Sequence, residues 1–497
     1  MENGNLLHAS LDASRNKETR GGWRAVRFIL GNETFEKLAS MSLIGNLVLY
    51  LHTMYNLDNV ASAYVFQIWG GTTNFAPLAG AFLADAYLGR FYTLLFGSVA
   101  SLLGMGVLTL GAGLPQMRPP PCISGESNCP QPLPWQLGFL YLGLGLIVIG
   151  AGDMAKVVVA TCRKWQIPKT TQFDQLHNPP MNSSKLAHTN RFLIFDKAAT
   201  VVDSSVELDE EGKSKNEWRL CSVHQVEQFK CVVGIFPVWL AGIPCFMSMQ
   251  QMSSFGILQA IQMNRSIGPH FQIPPAWMSL TPMIALSIWI YIYEKYVEHM
   301  KKKTQSNKRF SMKTRIEIGI VMSVLCMVVA GVLEKFRRDA AVENKSFISP
   351  LHVWVLIPEF ALSGLTEAFG AIAVMELLTT HLPESLRTVA GAIFFFSLSL
   401  ASYLSSVLTG IVRGVEREWL GGNDLNKNRL DYFFSVVGVI AALNFFYFRF
   451  FAVAFLPKPD VDPSHKAHQM QSLESLRFVL SLRYIGVKDK EKTRFEF

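Results

Sequence analysis

Gly31-Asn32-Glu33-Thr34-Phe35-Glu36-Lys37-Leu38 lies inside an apolar run that extends from about Val26 to Met54. Three charges stand where lipid is expected. On an α-helix, positions i, i+3 and i+4 share a face, so Glu33, Glu36 and Lys37 project as one cluster, with Glu33 placed to pair with Lys37. An ionised group at mid-bilayer costs several kcal/mol, so that face predicts a water-filled cavity or a helix partner rather than hydrocarbon. The chemistry that follows is a proton site: one carboxylate stays ionised against Lys37, while the other, crowded by a like charge, is set to take and release a proton. The alternative is a structural ion pair, or residues snorkelling from a helix end.

Composition supports the membrane reading. Half of the 497 residues are hydrophobic, 17% are charged and Phe alone contributes 35, too apolar for a soluble chain of this length. The net charge of +8 would suggest nucleic acid in a soluble protein. Here much of it falls in loops between apolar spans, where positive-inside bias accounts for it and no nucleic-acid partner is implied. Residues 1–20 are polar and charged without an apolar core, which predicts no cleaved leader and a cytoplasmic N-terminus. The seven cysteines form no CxxC or Cys/His metal spacing, so neither a zinc site nor a disulfide scaffold is suggested; no metal or cofactor is expected. Cys122 and Cys129 flank a short polar stretch in a loop placed outside, where an oxidised pair is an open possibility.

A second span, about Ala61 to Leu88, ends in a turn with Asp85, Gly89 and Arg90, in which Asp85 can accept from Arg90 or a neighbouring helix start. A third covers about Phe91 to Leu114. The fourth begins near Trp135 and runs through Gly150-Ala-Gly152 into Asp153-Met-Ala-Lys156 and Arg163-Lys164. From there to Ser222 the chain is polar, a long connection between two membrane halves. Six further spans are expected near Cys231–Ala260, Pro275–Tyr296, Ile316–Leu333, Leu351–Thr379, Thr388–Val412 and Asp431–Leu456, each close to the ~20 residues a bilayer needs. Lys301-Lys-Lys303, Lys308, Arg309, Lys313 and Arg315 mark a cytoplasmic loop, whereas Met117 to Leu133 holds only Arg118 and is external. Arg337, Arg338 and Lys345 run against that rule in a loop placed outside. In the same loop Asn344-Lys-Ser346 is a usable glycosylation sequon. Beyond the last span, Leu473, Leu476, Val479, Leu480 and Tyr484 recur at helical spacing, as in an interfacial helix.

Two intramembrane stretches suggest a substrate site. Pro358-Glu359 precedes Ser363-Gly364-Leu-Thr366-Glu367, a proline-broken helix with Glu367 near its middle. Met247 to Ser254, including Met249 and Gln250, offers hydrogen-bonding groups beside soft apolar surface, or else glue between helices.

Asn32-Glu-Thr-Phe-Glu36-Lys37 resembles the ExxE[R/K] motif of the plant nitrate/peptide transporter family, a proton-coupled oligopeptide transporter branch of the major facilitator superfamily. Phe195-Asp-Lys-Ala-Ala199, Glu217-Trp-Arg-Leu-Cys221, Gln225-Val-Glu227, Leu382-Pro-Glu-Ser-Leu-Arg387 and Leu430-Asp-Tyr-Phe433 agree with it. The resemblance is strongest to the subgroup of low-affinity nitrate carriers and glucosinolate or flavonoid-conjugate carriers. It implies twelve helices in two halves, alternating access, and symport of an anion or peptide with protons. Glu33, Glu36 and Lys37 would couple the proton, and Glu367 would match an acid on the tenth helix.

Two departures follow from the same resemblance. After Gly152 the sequence passes directly to what resembles the chain beyond the family's sixth helix, so the rest of helix four, helix five and helix six are missing. Met249 stands where nitrate carriers place a nitrate-binding histidine, and a thioether donates nothing to an anion.

The expected protein is an all-α membrane protein of the major facilitator fold, with about ten transmembrane helices instead of twelve. It has a cytoplasmic N-terminus (1–25), a shortened N-terminal bundle (26–161), a cytoplasmic connection (162–222), a C-terminal six-helix bundle (223–457) and a cytoplasmic tail (458–497). Its expected work is proton-coupled symport of nitrate or a larger organic anion across a plant plasma membrane. Substrate-side residues are Glu367, Met249 and Gln250, and the partners are the anion, protons and lipid. The rival is a non-transporting variant that assembles with full-length relatives. No Walker loop, GxGxxG or HExxH points to an enzyme.

Overall fold

Ser222 and Gln225 start the helix on which the second half of the chain is built. In the computed structural model the Ser222 hydroxyl accepts from the Gln225 N–H at 3.3 Å, and the Gln225 side chain accepts from the Ser222 N–H at 2.9 Å. This reciprocal cap satisfies donors that the first turn would leave bare. The structure describes residues 42–83, 89–120, 130–146, 192–201, 220–304, 310–382 and 387–456. The chain divides into one unit of Met1–Asn46 with Asp460–Phe497 and a second of Leu47–Pro459, which holds the architecture that follows.

Helices α1 (Ser42–Met54), α2 (Asn59–Leu83), α3 (Gly89–Gly113) and α4 (Pro134–Leu146) come first. They are followed by α5 (Val223–Gln251), α6 (Leu280–Thr304), α7 (Met312–Glu343), α8 (Ile357–Thr366), α9 (Ile372–His381), α10 (Arg387–Val415) and α11 (Leu430–Phe450). Among the described residues, six continuous helical stretches are long and apolar enough to cross a bilayer, and they fall where the six later spans are expected. The first joins α5 through a π-helical turn at Met252–Gly256 to a short continuation at Ile257–Ile261, and another joins α8 to α9 through a π turn at Glu367–Ala371. Ile284, Ile288 and Ile292 recur every four residues along α6 and are all about half exposed, the stripe expected of a helix facing lipid.

The core lies where these spans meet. Val238, Ile243 and Phe246 of α5 pack with Ile320 of α7 and with Val374 and Leu377 of α9. Pro237 and Pro244 interrupt the ladder of α5, and α11 braces that stretch: the Tyr447 hydroxyl donates to the Pro237 carbonyl at 3.2 Å and the Asn444 amide to the Ala241 carbonyl at 2.8 Å. Small residues set two close crossings. A Cβ on Gly319 would lie 2.6 Å from the Gly370 backbone, and one on Gly364 would strike the backbone of Pro282. Only hydrogen at these positions lets α7 approach the second π turn and α6 approach α8. Two short strand pairs decorate the loops, Met263–Asn264 parallel with Ser349–His352 and Ser266–Ile267 antiparallel with Phe271–Gln272.

One expectation needs correction. Arg337 and Arg338 are not in a loop, because α7 continues to Glu343. Arg337 is fully buried there, its guanidinium making two bonds to Glu334 one turn back, at 2.7 and 2.8 Å, and one to Asn426 at 2.8 Å. A helix can carry such a cation past the apolar window because its charge and donors are met inside the protein.

Candidate functional site

Helix α2 packs along α10 and reaches the first π turn. Gln67, an amide in an otherwise apolar stretch of α2, donates to Gln251 Oε1 and to Ser254 Oγ, each at 3.3 Å, and all three side chains are sealed from solvent. The pairing is incomplete: Gln67 Oε1 and Gln251 Nε2 have no hydrogen-bond partner. Farther along the same pair of helices, Thr72 Oγ1 and the Tyr403 hydroxyl are 2.9 Å apart, and Gly71 lies against the Tyr403 ring. Buried hydroxyls continue on α10, where those of Ser399, Ser405 and Ser406 lack partners. Buried polar atoms are ordinarily paired, so such a run is unusual inside a helix bundle.

Ionic ties bind both ends of this unit. At one end Arg413 of α10 reaches Asp58, just before α2, at 2.8 Å, and both the side chain and the backbone N–H of Asn59 donate to the Gly422 carbonyl. At the other, the short turn Phe195–Ala198 supplies Asp196 to Lys230, whose Nζ also meets Glu227, at 2.7 and 2.8 Å with all three side chains buried. Arg315 pairs with Glu376, holding α7 to α9. Among the described residues no group of three His, Cys, Asp or Glu could hold a metal ion. A groove of 460 Å³ between α7 and α11 has Val328, Val332 and Val439 on its walls. Those side chains are about half exposed, so it belongs to the outer apolar surface and not to the polar run.

Glu367 opens the second π turn and is partly buried. Single π turns inside α-helices occur frequently at functional positions, since the extra residue re-aims the side chains that follow. Met249 and Gln250 lie in the last turn of α5 and are likewise partly buried, Met249 against the apolar core. Asn344 is the exposed residue that ends α7, its amide donating to the Ala340 carbonyl. Glu33, Glu36, Lys37, Asp85, Cys122, Cys129, Asp153 and Lys156 lie outside the described residues. Gly89 and Arg90 begin α3. Gln67 is the residue that the reading of the sequence missed. Its signal was present, an amide in the middle of an apolar helix, which has the same physical meaning as a charge there.

Three comparisons bear on this arrangement. The family model described as POT family matches residues 153–420. Protein NRT1/PTR FAMILY 2.8 of Arabidopsis thaliana is 42% identical over an alignment of 538 positions that covers 88% of this chain and 96% of that protein. Protein NRT1/PTR FAMILY 2.13 of Arabidopsis thaliana is 31% identical, covering 94% of this chain and 93% of its own length. Among solved structures, an auto-inhibited POT family peptide transporter superposes with a TM-score of 0.57 at 15% identity, over 88% of this chain and 99% of that one. The POT family transporter PepTSo superposes with a TM-score of 0.54 at 12% identity, over 86% and 98%. The alignment to the 42% relative is longer than the whole 497-residue chain, so that relative contains stretches with no counterpart here.

Proposed function

The chain belongs to the POT family of membrane transporters, in its plant NRT1/PTR branch, and from that premise we infer that it carries nitrate or a larger organic anion together with protons across the plasma membrane. The observation that carries this reading is the sealed contact of Gln67 with Gln251 and Ser254. A helix of the first half meets the first helix of the second half there through polar groups that are only partly satisfied. Such a seam is where two bundles part to admit a polar cargo in alternating access. Its remaining donors and acceptors suit a substrate more than they suit a permanent interface, because a permanent one gains by pairing or removing them.

In this reading residues 26–161 and 223–457 are the two halves, 162–222 joins them in the cytoplasm, and 1–25 and 458–497 are cytoplasmic tails. Gln250 and Glu367 face the cargo together with Met249. Since the Met249 thioether donates no hydrogen bond, recognition of the anion falls to amide and hydroxyl donors, an arrangement that favours a larger, partly apolar anion over nitrate alone. Glu33, Glu36 and Lys37 couple the proton by sharing one helical face. The turn of Asp85, Gly89 and Arg90 closes two helices on the cytoplasmic side, Cys122 and Cys129 pair outside, and Asn344 carries glycan.

The experiment is uptake of labelled nitrate and of a glucosinolate against external pH, comparing the chain, in a form competent for uptake, with Glu36→Gln. An amide cannot titrate, so the variant reaches the membrane and loses its acid-driven uptake. Uptake by the variant that still rises with acidity as in the parent refutes the proton assignment. No acid-driven uptake of any anion by either protein refutes the symport reading.

A further inference from the structure

Glu359 has no assigned role, and its surroundings are unlike those of the other buried acids. It is fully buried in the first turn of α8, with neither carboxyl oxygen in a hydrogen bond. Among the described residues, other fully buried acids of this bundle have donors. Glu334 takes two bonds from Arg337 and one from Gln259 at 3.0 Å, and Glu227 takes one from Lys230. The thiol of Cys326 is adjacent but donates to the Glu359 backbone carbonyl, at 3.3 Å, leaving the carboxyl bare.

Among the described residues, the elements around it supply no cation free to serve it; α5, which also packs on α8, has its charged groups His224, Glu227 and Lys230 in its first two turns, with Lys230 held by Asp196 and Glu227. From α7, Cys326 and Glu334 face it, and Arg337 behind Glu334 is already committed to that acid and to Asn426. From α6, Gly364 of α8 meets Pro282, and the stretch of α6 from Leu280 to Ile290 carries no titratable residue. The turn Pro275–Ser279 before it and the first π turn Met252–Gly256 carry none either. On its own helical span the next acid is Glu367, two turns along.

We propose that Glu359 is a proton-binding site, carrying its proton while this part of the bundle is closed as observed. A carboxylate with no donor, beside a second acid whose charge is already met, is the arrangement that low-dielectric surroundings penalise most; the neutral acid is tolerated as any small polar group is. Placement in the first turn of α8 does not rescue the charged form, since the oxygens take no N–H from that turn. The proton comes from water and returns to water when the helices part. No other bond changes. Glu359 is thus distinct from the cluster of Glu33, Glu36 and Lys37: it lies in the second half and needs no basic partner.

Two measurements on the full chain in detergent test it. The infrared difference between the parent and Glu359→Gln at neutral pH is expected to contain the C=O stretch of a protonated carboxyl, moving in D2O. A carboxylate stretch in its place overturns the proposal. Glu359→Leu, which removes the acid without leaving a stranded partner, is expected to unfold within about 2 °C of the parent, whereas Glu334→Leu, which strands Arg337, falls several times further. Equal losses in the two variants also overturn the proposal, because they would mean that Glu359 is an ionised member of the cluster.

Discussion

Arg413 at the end of α10 and Asp58 immediately before α2 form an ion pair, Nη2 to Oδ2, at 2.8 Å, across 355 positions of sequence. Both side chains retain contact with solvent, at 44% and 24% exposure, so the bond contributes only about 0.2–1 kcal/mol to stability. Its consequence is conformational. It fastens the end of the seam at which Asn59 also holds the Gly422 carbonyl. Asp58→Asn is expected to unfold at the parent's temperature and to speed reaction of Ser254→Cys with an impermeant thiol reagent applied outside. Identical labelling rates with and without the pair would show that it is no latch.

The opposite end depends on a buried cation. Lys230 bridges Asp196 and Glu227, and removing it takes from two buried acids the donor they share. Taking one partner from a buried pair costs about 3–5 kcal/mol. Lys230→Met should therefore lower the detergent unfolding midpoint by several degrees and expose the 192–201 turn to protease. A midpoint that stays put would mean that the two carboxyls find other donors at no cost.

Asn344 tests the orientation. It is exposed at the end of α7, in an Asn-Lys-Ser sequon, with Lys345 in the left-handed region at φ 49° closing the helix. If this end faces outward, expression in a glycosylating cell adds a glycosidase-sensitive mass that Asn344→Gln abolishes. Glycan at Asn182 instead would place the connection on the wrong side of the membrane.

The length difference from the 42% relative predicts a functional deficit. If the stretches of that relative with no counterpart here are helices four to six, as the resemblance implies, a first half without them would offer less cover to the acids of its first span, and a buried charge left uncovered costs several kcal/mol, a large share of a marginal stability. Inserting a relative's helix-four-to-six block after Gly152 is expected to raise both acid-driven uptake and the unfolding midpoint. Equal values for the two proteins would show that the block is dispensable.

Hydropathy and charge in the sequence were enough to locate the six later spans, because whether a segment enters a bilayer depends on its own side chains and on hydrogen bonds it makes within itself. The polar end of α5 was legible for the same local reason, but the break expected at Pro358 was misplaced: Pro358 sits in the first turn of α8, where a proline is tolerated, and the irregularity is the π turn at Glu367–Ala371, set by how neighbouring helices press. Hydropathy does not mark the end of α7. The apolar window ends near Leu333, yet the helix continues because Arg337 finds Glu334 one turn back and Asn426 89 positions away. Glu334 and Glu359 are the same residue type on adjacent helices, and nothing in the sequence separates them. Only the packed structure gives the first a guanidinium and an amide and leaves the second with neither, since the energy of a buried charge is set by the donors that distant segments bring within about 3 Å of it.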